Sequence, residues 1–209
     1  MRKTIALTLF LSLFIVGCSN DAAEPAKTGD IPTDYLTDYY SNPQVTDDRS
    51  LLEPNQTVSD EKGEATLKAI NYVDTTHDIG SVQLRIKDMK LIHLKPDYSL
   101  IDYFHVLTHE EEFDFVKVFI EIKNTSSDKV SFAPIALLET SSGEKFDWEK
   151  DVYLEDLNGE LKGKSSKKGN LGFIVEKSER LEWIEITTSD VFNQDGMKIH
   201  DSKKIKIEF

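Results

Sequence analysis

The chain has 209 residues and a formal net charge of −13, with 38 acidic residues against 25 Lys and Arg. A surface this acidic repels phosphate groups, which excludes nucleic acids and anionic lipid headgroups as expected partners. The single cysteine, Cys18, allows no disulfide within the chain, so stability must come from an apolar core. The 11 Phe, 7 Tyr and 2 Trp are sufficient for one domain with a tail.

The first seventeen residues have the features of an export signal. Residues 1–3 include two basic side chains, Ile5–Val16 form an apolar run too short to span a membrane, and Gly17 precedes Cys18. This stretch resembles the lipobox of bacterial lipoproteins. The resemblance implies that residues 1–17 are a cleaved signal peptide and that the Cys18 thiol carries a diacylglyceryl (palmitate-type) anchor. We therefore expect a lipid-anchored protein on the extracytoplasmic face of the cell membrane, with an ordinary secretory signal as the alternative.

Residues 18–60 are rich in Asp, Asn, Pro, Thr and Ser, a composition that is typical of a flexible connection. Four prolines between positions 25 and 54 interrupt any long helix or strand. The composition predicts an acidic and mostly disordered tether between the membrane and a folded domain, and the lipobox resemblance implies that this tether is lipidated at Cys18.

One part of the predicted tether has a helical pattern, because its apolar residues fall on one face of a helix. These residues are Tyr35, Leu36, Tyr39 and Tyr40. Three interpretations are open: a short helix or turn that packs on the chain's own domain, a disordered segment, and a motif that docks on a partner through these four side chains.

In the predicted domain, residues 61–209, apolar and polar residues alternate with the period of β-strands from Glu64 onward. The clearest strand is 113–123, whose Val and Ile residues are predicted to face a core while the opposite face is mostly solvated. Pro134 predicts an edge or bulged strand over 130–138, and a change of parity after Asp88 predicts a bulge near residues 87–90. The other predicted strands are 65–72, 81–94, 146–148, 170–175, 181–186 and 203–209.

Three stretches carry a resemblance to a known domain family: Phe115–Ser126, Leu137–Phe146 and Gly169–Val175. In this order they resemble the immunoglobulin-like domain of unknown function of many Gram-positive secreted lipoproteins, whose fold is similar to that of a mycobacterial secreted immunoprotective antigen. The resemblance covers residues 61–209 and implies an all-β, immunoglobulin-like antiparallel β-sandwich of seven or eight strands, with no catalytic residues to transfer. The chain departs from the family at Lys168-Gly169, where the turn lacks proline, and by an insertion at 96–112.

The insertion at 96–112 is open to both helical and strand interpretations, and a loop of this length is a plausible place for a partner site. It contains His105 and His109, which would share one face of a helix and could bind a metal ion with Glu110. His93 is the candidate third histidine. The alternative is that these are surface histidines with no metal.

No catalytic motif is present in the sequence, and we expect neither an enzyme nor a cofactor. The leading hypothesis is a membrane-anchored, non-enzymatic binding or interaction module for an extracytoplasmic protein or cell-wall partner. The alternative is a metal- or small-ligand-binding lipoprotein that serves a transporter.

Overall fold

The computed structural model describes residues 33–209, so the predicted signal peptide, Cys18 and residues 18–32 of the predicted tether lie outside the described residues. Within residues 33–209, no helix is both long and apolar enough to cross a membrane. Regular structure in the described residues consists mostly of strands of 3 to 15 residues, with one four-residue helix, α1 (Ile101–Phe104). Single 3-10 turns lie at Asp34–Leu36, Tyr98–Leu100, Trp148–Lys150 and Ser178–Arg180. The strands are β1 (Thr57–Asp60), β2 (Gly63–Asn71), β3 (Thr75–Ile79), β4 (Val82–Pro96), β5 (Phe113–Asn124), β6 (Val130–Phe132), β7 (Leu137–Thr140), β8 (Lys145–Asp147), β9 (Gly159–Leu161), β10 (Ser166–Val175), β11 (Trp183–Thr187), β12 (Val191–Asn193), β13 (Lys198–His200) and β14 (Lys204–Glu208).

The strands pair in antiparallel fashion to form one large sheet and two small ones. The large sheet has the order β1-β2-β4-β5-β10, and β3 pairs with the first half of β4. The small sheets have the orders β14-β11-β7-β8 and β13-β12-β6-β9. The prediction of an all-β antiparallel sandwich is confirmed. The strands of the described chain number fourteen rather than seven or eight, because strands of three to five residues show too little alternation to stand out in a sequence.

One face of the large sheet, here called the inner face, packs against both small sheets. The predicted core residues of β5, Val116, Val118, Ile120 and Ile122, all lie on this face and are fully buried. They meet apolar side chains from β6, β7, β11, β12 and β14. Burial of this apolar surface is the main force that holds the two layers together.

The outer face of the large sheet is also buried along most of β5, which corrects the prediction that it is mostly solvated; only towards the end of the strand is Glu121 half-buried and Lys123 exposed. On β5 the outward residues Phe115, Lys117 and Phe119 have exposed fractions of 1%, 1% and 0%. They are covered by an outer layer without strands, formed by residues 33–56, 97–112 and 151–158. Alternation identifies the residues that share a face of a strand, but it carries no information about what covers that face.

Residues 33–56 form a strap across the outer face, so the described part of the predicted disordered tether is in fact packed. Val45 and Leu51 are each 1% exposed within the second apolar cluster. Directly after the strap, β1 pairs with β2 in the large sheet. Prolines and polar residues limit regular structure in the strap to one 3-10 turn at Asp34–Leu36, but they do not prevent its few apolar residues from packing.

Two local predictions about strand irregularities had different outcomes. The bulge is confirmed, because the register between β4 and β5 shifts between Ile86 and Asp88. The edge or bulged strand over 130–138 was wrong: this stretch is two strands, β6 and β7, which lie inside different small sheets with neighbours on both sides. Pro134 lies in the connection between them, where its missing N–H is not needed by any ladder.

The insertion at 96–112 is helical rather than extended. A 3-10 turn at Tyr98–Leu100, capped by the Asp97 carboxylate, leads into α1. Phe104 is buried in the second apolar cluster, and the Tyr103 hydroxyl donates to the Val152 carbonyl at 2.6 Å. These contacts hold the insertion against the outer face of the large sheet.

The turn at Ser141–Lys145 joins β7 to β8 as a hairpin. Gly143 has a φ angle of +85°, in the left-handed region that residues with a Cβ avoid. The hairpin carries β8 to the end of its sheet, where it borders the groove described below.

Candidate functional site

Two regions of the large sheet bring polar and charged side chains together: a buried ion cluster under the strap and an open groove near the ends of β5 and β10. The strap reaches the cluster through its tyrosines. The rings of Tyr35 and Tyr39 pack on Phe119 with centroid distances of 5.1 and 5.2 Å. Their hydroxyls donate to Asp88 and Glu155 respectively.

Of the four residues proposed for partner docking, the structure places Tyr35 and Tyr39 against the domain's own sheet. Burial, and after it the bonds to Asp88 and Glu155, raise the pKa of both phenols well above the ordinary value. Leu36 is half-buried and Tyr40 is 89% exposed. The hydroxyls of Tyr35 and Tyr39 are therefore occupied within the molecule, and of the four residues Tyr40 presents the most surface to a partner.

The ion cluster joins the strap to β4 and β5. Lys90 Nζ lies 2.7 Å and Lys117 Nζ 2.8 Å from Asp48 Oδ2, and Lys117 Nζ lies 3.5 Å from Asp88 Oδ1. Lys90 also donates to the Asp48 carbonyl at 2.8 Å. All four side chains are buried, so two carboxylates and two ammonium groups neutralise one another away from water.

The pKa directions in the cluster follow from the number of partners that each group has. Burial opposes charge on Asp48, but Lys117 and Lys90 outweigh it and hold the pKa of Asp48 well below its usual value. For Lys117, the attraction of Asp48 and Asp88 overcomes burial and raises the pKa. For Lys90, burial and the repulsion of Lys117 prevail over Asp48 and lower the pKa.

Sequence reasoning missed this cluster because Lys117 alternates with apolar residues and so resembles a residue on a solvated face. The strand register explains why Asp88, Lys90 and Lys117 lie together. Lys90 pairs with Lys117 between β4 and β5, and Asp88 pairs with Phe119, two residues further along β5. A signal was available in the bulge, which moves Asp88 and Lys90 to the same face as Lys117. The identity of the covering carboxylate, Asp48, could not be read from any local pattern.

The groove has a volume of about 980 Å³ and lies where β5 begins and β10 ends, beside β8. Its apolar lining comes from the insertion and from all three strands. The apolar residues are Leu107, Phe113, Phe146, Ile174 and Val175. The groove lies between the edge strand of the large sheet and the edge strand of a small sheet.

One wall of the groove holds a hydrogen-bonded group centred on Asp114. His93 Nδ1 lies 2.8 Å from Asp114 Oδ1, Lys68 Nζ lies 2.6 Å from Asp114 Oδ2, and the Ser178 hydroxyl donates to the same oxygen. Burial raises the pKa of Asp114, but the bonds from Lys68, Ser178 and His93 outweigh it and hold the pKa below its usual value. With Nδ1 held by the carboxylate, Nε2 of His93 is the ring nitrogen left for other contacts.

The rim of the groove is acidic. Glu110, Glu112, Asp147 and Glu176 are exposed and line it, and within residues 33–209 none of them forms an ion pair with Lys or Arg. The two lysines of the groove, at positions 145 and 150, do not balance them: Lys145 pairs instead with Glu139 at 2.7 Å. The groove therefore carries a net negative field that its own side chains leave uncompensated.

The predicted metal ligands do not assemble. His105 and His109 approach each other, with ring centroids 6.3 Å apart, but α1 ends at Phe104 and the helical face that would align the two rings is not formed. His109 and Glu110 line the groove, whereas His93 is bonded to Asp114. Across residues 33–209, no three His, Cys, Asp or Glu side chains come close enough together to hold a metal ion.

Comparison with known proteins places the chain in a family. No family model matches the sequence. The chain is 51% identical to the uncharacterized protein YdhF of Bacillus subtilis over the whole length of both, and it belongs to the same family. It is also 30% identical to the SPbeta prophage-derived uncharacterized lipoprotein YonS of Bacillus subtilis, over 69% of this chain and 66% of YonS.

Among solved structures, the chain is similar to a functionally unknown protein from Listeria monocytogenes EGD-e. The TM-score is 0.50 at 14% sequence identity, with 70% of this chain and 88% of the Listeria chain covered. At this identity the similarity supports the fold alone.

Proposed function

We propose that the protein is a lipid-anchored, extracytoplasmic binding module with no enzymatic activity, and that its ligand binds in the groove. The observation that carries this proposal is the groove itself: an open space of about 980 Å³ whose lining is part apolar and part charged, with charges that the molecule does not neutralise. Protein ligand sites typically combine these two features.

The anchor in this proposal rests on Cys18 in its lipobox-like context and is supported by the name of YonS, which is a lipoprotein. Two acyl chains on one cysteine would hold the domain stably, since each buried methylene contributes ~0.8 kcal/mol. In the same proposal the sandwich is a variant of the immunoglobulin-like domain, with the strap and the insertion as its additional outer layer.

The proposal that the protein has no enzymatic activity is supported by the hydrogen bonds of the polar groups on the groove wall. Ser178 donates to Asp114 and not to His93, so its hydroxyl has no imidazole beside it. Lys68 lies 3.5 Å from the Ser178 oxygen, but its ammonium is paired with Asp114 and has no free lone pair to accept a proton. In this proposal, the hydrogen bonds around Asp114 stabilise the groove wall and do not take part in catalysis.

The anchor is tested by feeding cells a clickable fatty acid and separating membranes from soluble material. We expect label on the wild-type chain and its recovery with membranes, and neither for Cys18→Ala. Label on the Cys18→Ala variant, or an unlabelled wild-type chain, would show that the anchor is elsewhere or absent.

The groove is tested by photo-cross-linking in intact cells, with a photoreactive amino acid placed either at Lys150, which lines the groove, or at Asp195, which is exposed and does not line it. We expect discrete covalent products from position 150 and none from position 195. The same products from both positions, or none from position 150, would contradict binding at the groove.

A further inference from the structure

We propose that the ligand of the groove is an extended, basic segment of a partner protein, which adds as a short strand along the free edge of β10. This inference rests on the proposed function of the groove as a binding site and names the class of its partner. Three observations carry it: the direction of the β10 backbone, the acidic rim and the apolar lining.

The backbone of β10 has unused hydrogen-bonding capacity at the groove. On its outer edge, Asn170 N donates to Glu155 at 2.9 Å and Gly172 N donates to Asp151 at 2.8 Å, so both residues direct their backbone away from β5. By the alternation of a strand, Ile174 directs its N–H and C=O the same way. Ile174 lines the groove, and within residues 33–209 its backbone groups have no partner outside the β5–β10 ladder, from which the alternation turns them away.

An exposed strand edge of this kind accepts a further strand, because a backbone donor and acceptor that face outward match those of any extended chain. The outer layer covers the earlier part of this edge: Val152 N donates to the Gly172 carbonyl at 2.9 Å. The edge is free at Ile174, where the groove opens, and it is covered again one step further on, because Glu176 N donates to Glu144 at 2.8 Å. The geometry therefore offers one short stretch of edge and not a general surface for aggregation.

The negative charges of the rim favour a partner segment with a positive net charge. Glu112 directly precedes β5 and Glu176 directly follows β10, the two strands that frame the large-sheet side of the groove. Asp147 lies on β8 across from them. A basic side chain placed between these carboxylates would supply the ion pairs that the domain lacks. An acidic segment would be repelled by the same groups.

The lining explains why the partner segment is extended. In a strand, successive side chains point to opposite sides, so a segment that alternates basic and apolar residues directs one set to the acidic rim and the other to Phe113 and Phe146. A compact cation such as a single ammonium group would meet the rim but leave this apolar surface uncovered. The groove thus matches the alternation of a short strand.

The test uses the full chain in a non-ionic detergent and a fluorescein-labelled nine-residue peptide of alternating lysine and valine, with fluorescence anisotropy as the readout. Two further peptides replace lysine with glutamate or with serine. We expect saturable binding of the lysine peptide, several-fold weaker binding of the serine peptide and none of the glutamate peptide. Equal binding of the lysine and serine peptides, or no binding of the lysine peptide, would overturn the proposed class of ligand.

A matched pair of variants separates the groove from the general acidity of the chain. Glu112→Gln with Glu176→Gln removes two charges from the rim, and Glu53→Gln with Asp195→Asn removes two exposed charges that do not line it. We expect the rim variant to weaken binding of the lysine peptide roughly threefold to tenfold. The control variant should bind like the wild type. Equal weakening by both variants would show attraction to the whole acidic surface and overturn the proposal.

The backbone contribution is tested by Ile174→Pro, which removes the outward N–H but no bond of the β5–β10 ladder. Because Ile174 is partly buried against the second apolar cluster, Ile174→Ala is the matched control that loses the same packing but keeps the N–H. We expect loss of peptide binding in Ile174→Pro and retained binding in Ile174→Ala. Unaltered binding by Ile174→Pro, or equal loss in both variants, would contradict strand addition. Failure of the lysine peptide together with cross-links from position 150 would remove only the ligand class, whereas absence of those cross-links would remove the proposed function itself.

Discussion

The ion cluster under the strap and the acidic rim of the groove are two charged regions of the same sheet, and they differ in how their charges are compensated. In the cluster, two lysines from β4 and β5 meet Asp48 from the strap and Asp88 from β4, and all four groups are buried. At the rim, exposed carboxylates outnumber the nearby cations and have no lysine or arginine partner in the described chain. The first region is closed by the protein itself, and the second is left open.

This difference separates a structural role for charge from a binding role. Buried charges are tolerated only when they are paired, and a buried pair contributes little stability beyond what it restores. Removal of one member is costly because it leaves the other in a site without water. Exposed carboxylates cost the fold almost nothing, so their field remains available to a ligand.

The largest expected effect is that of Asp48→Ala, which leaves the ammonium groups of Lys90 and Lys117 buried without their shared carboxylate. We expect the free energy of unfolding to fall by about 3–5 kcal/mol, as for other broken buried pairs. Urea unfolding followed by tryptophan fluorescence measures it. Asp156→Ala, which breaks a surface pair with Lys167, is the control and should change stability by less than about 1 kcal/mol. A similar loss of stability in both variants would contradict the larger cost expected for a buried carboxylate.

A second effect concerns pH and Asp151, which lies in the outer layer. Burial raises its pKa to about 6, although the N–H groups of Gly172, Tyr153 and Leu154 bond to the carboxylate and act in the opposite direction. A raised pKa in the folded state means that this group stabilises the fold at low pH and loses that contribution as pH rises from about 4 through about 6.

The side chain of Asp151→Asn cannot titrate. We therefore expect the free energy of unfolding of wild type to fall by about 2–3 kcal/mol relative to that of Asp151→Asn between pH 4 and pH 7. Urea midpoints of both proteins across this range provide the measurement. Since the other titrating groups are common to both proteins, their contributions cancel in the difference. A difference that stayed constant with pH would show that Asp151 titrates in its ordinary range.

A smaller effect is expected for Tyr35→Phe, which removes the hydroxyl that donates to Asp88. The other Asp88 oxygen, Oδ1, already lacks a hydrogen bond, so the carboxylate would keep only its longer contact with Lys117. We expect a loss of about 1–3 kcal/mol in the free energy of unfolding. Tyr40→Phe is the matched control on the same segment: its side chain is 89% exposed, and the variant should unfold like the wild type. Equal stability of Tyr35→Phe and wild type would show that the strap is held without this bond.

The smallest expected effect on stability is that of removing two carboxylates from the rim of the groove. Glu112→Gln combined with Glu176→Gln should leave the free energy of unfolding within about 0.5 kcal/mol of wild type, because neither carboxylate is paired in the described chain. Thermal or urea unfolding measures this directly. Marked destabilisation would place these carboxylates in the fold rather than in a binding role, and marked stabilisation would show that their mutual repulsion is larger than their exposure implies.

Much of the sandwich could be predicted because alternation is a local property. The inward residues of β5, the bulge after Ile86 and the final strand β14 follow from the spacing of apolar residues in short windows. The groove could be anticipated only in part: the insertion was expected to build a partner site, and its His109 and Glu110 do line the groove. The candidate metal site required a helix that continues through His105 and His109, but the helix in the structure ends at Phe104.

The sequence by itself determined the antiparallel class of the fold, the core face of its main strands and the acidic character of the chain, because each depends on composition or on neighbours a few residues apart. Only the tertiary structure decided that the strap covers the outer face, that Asp48 meets Lys90 and Lys117, and that the β10 edge is free at Ile174. These features join residues tens of positions apart, and which charges become buried depends on which segment covers them. Local patterns carry no record of that choice.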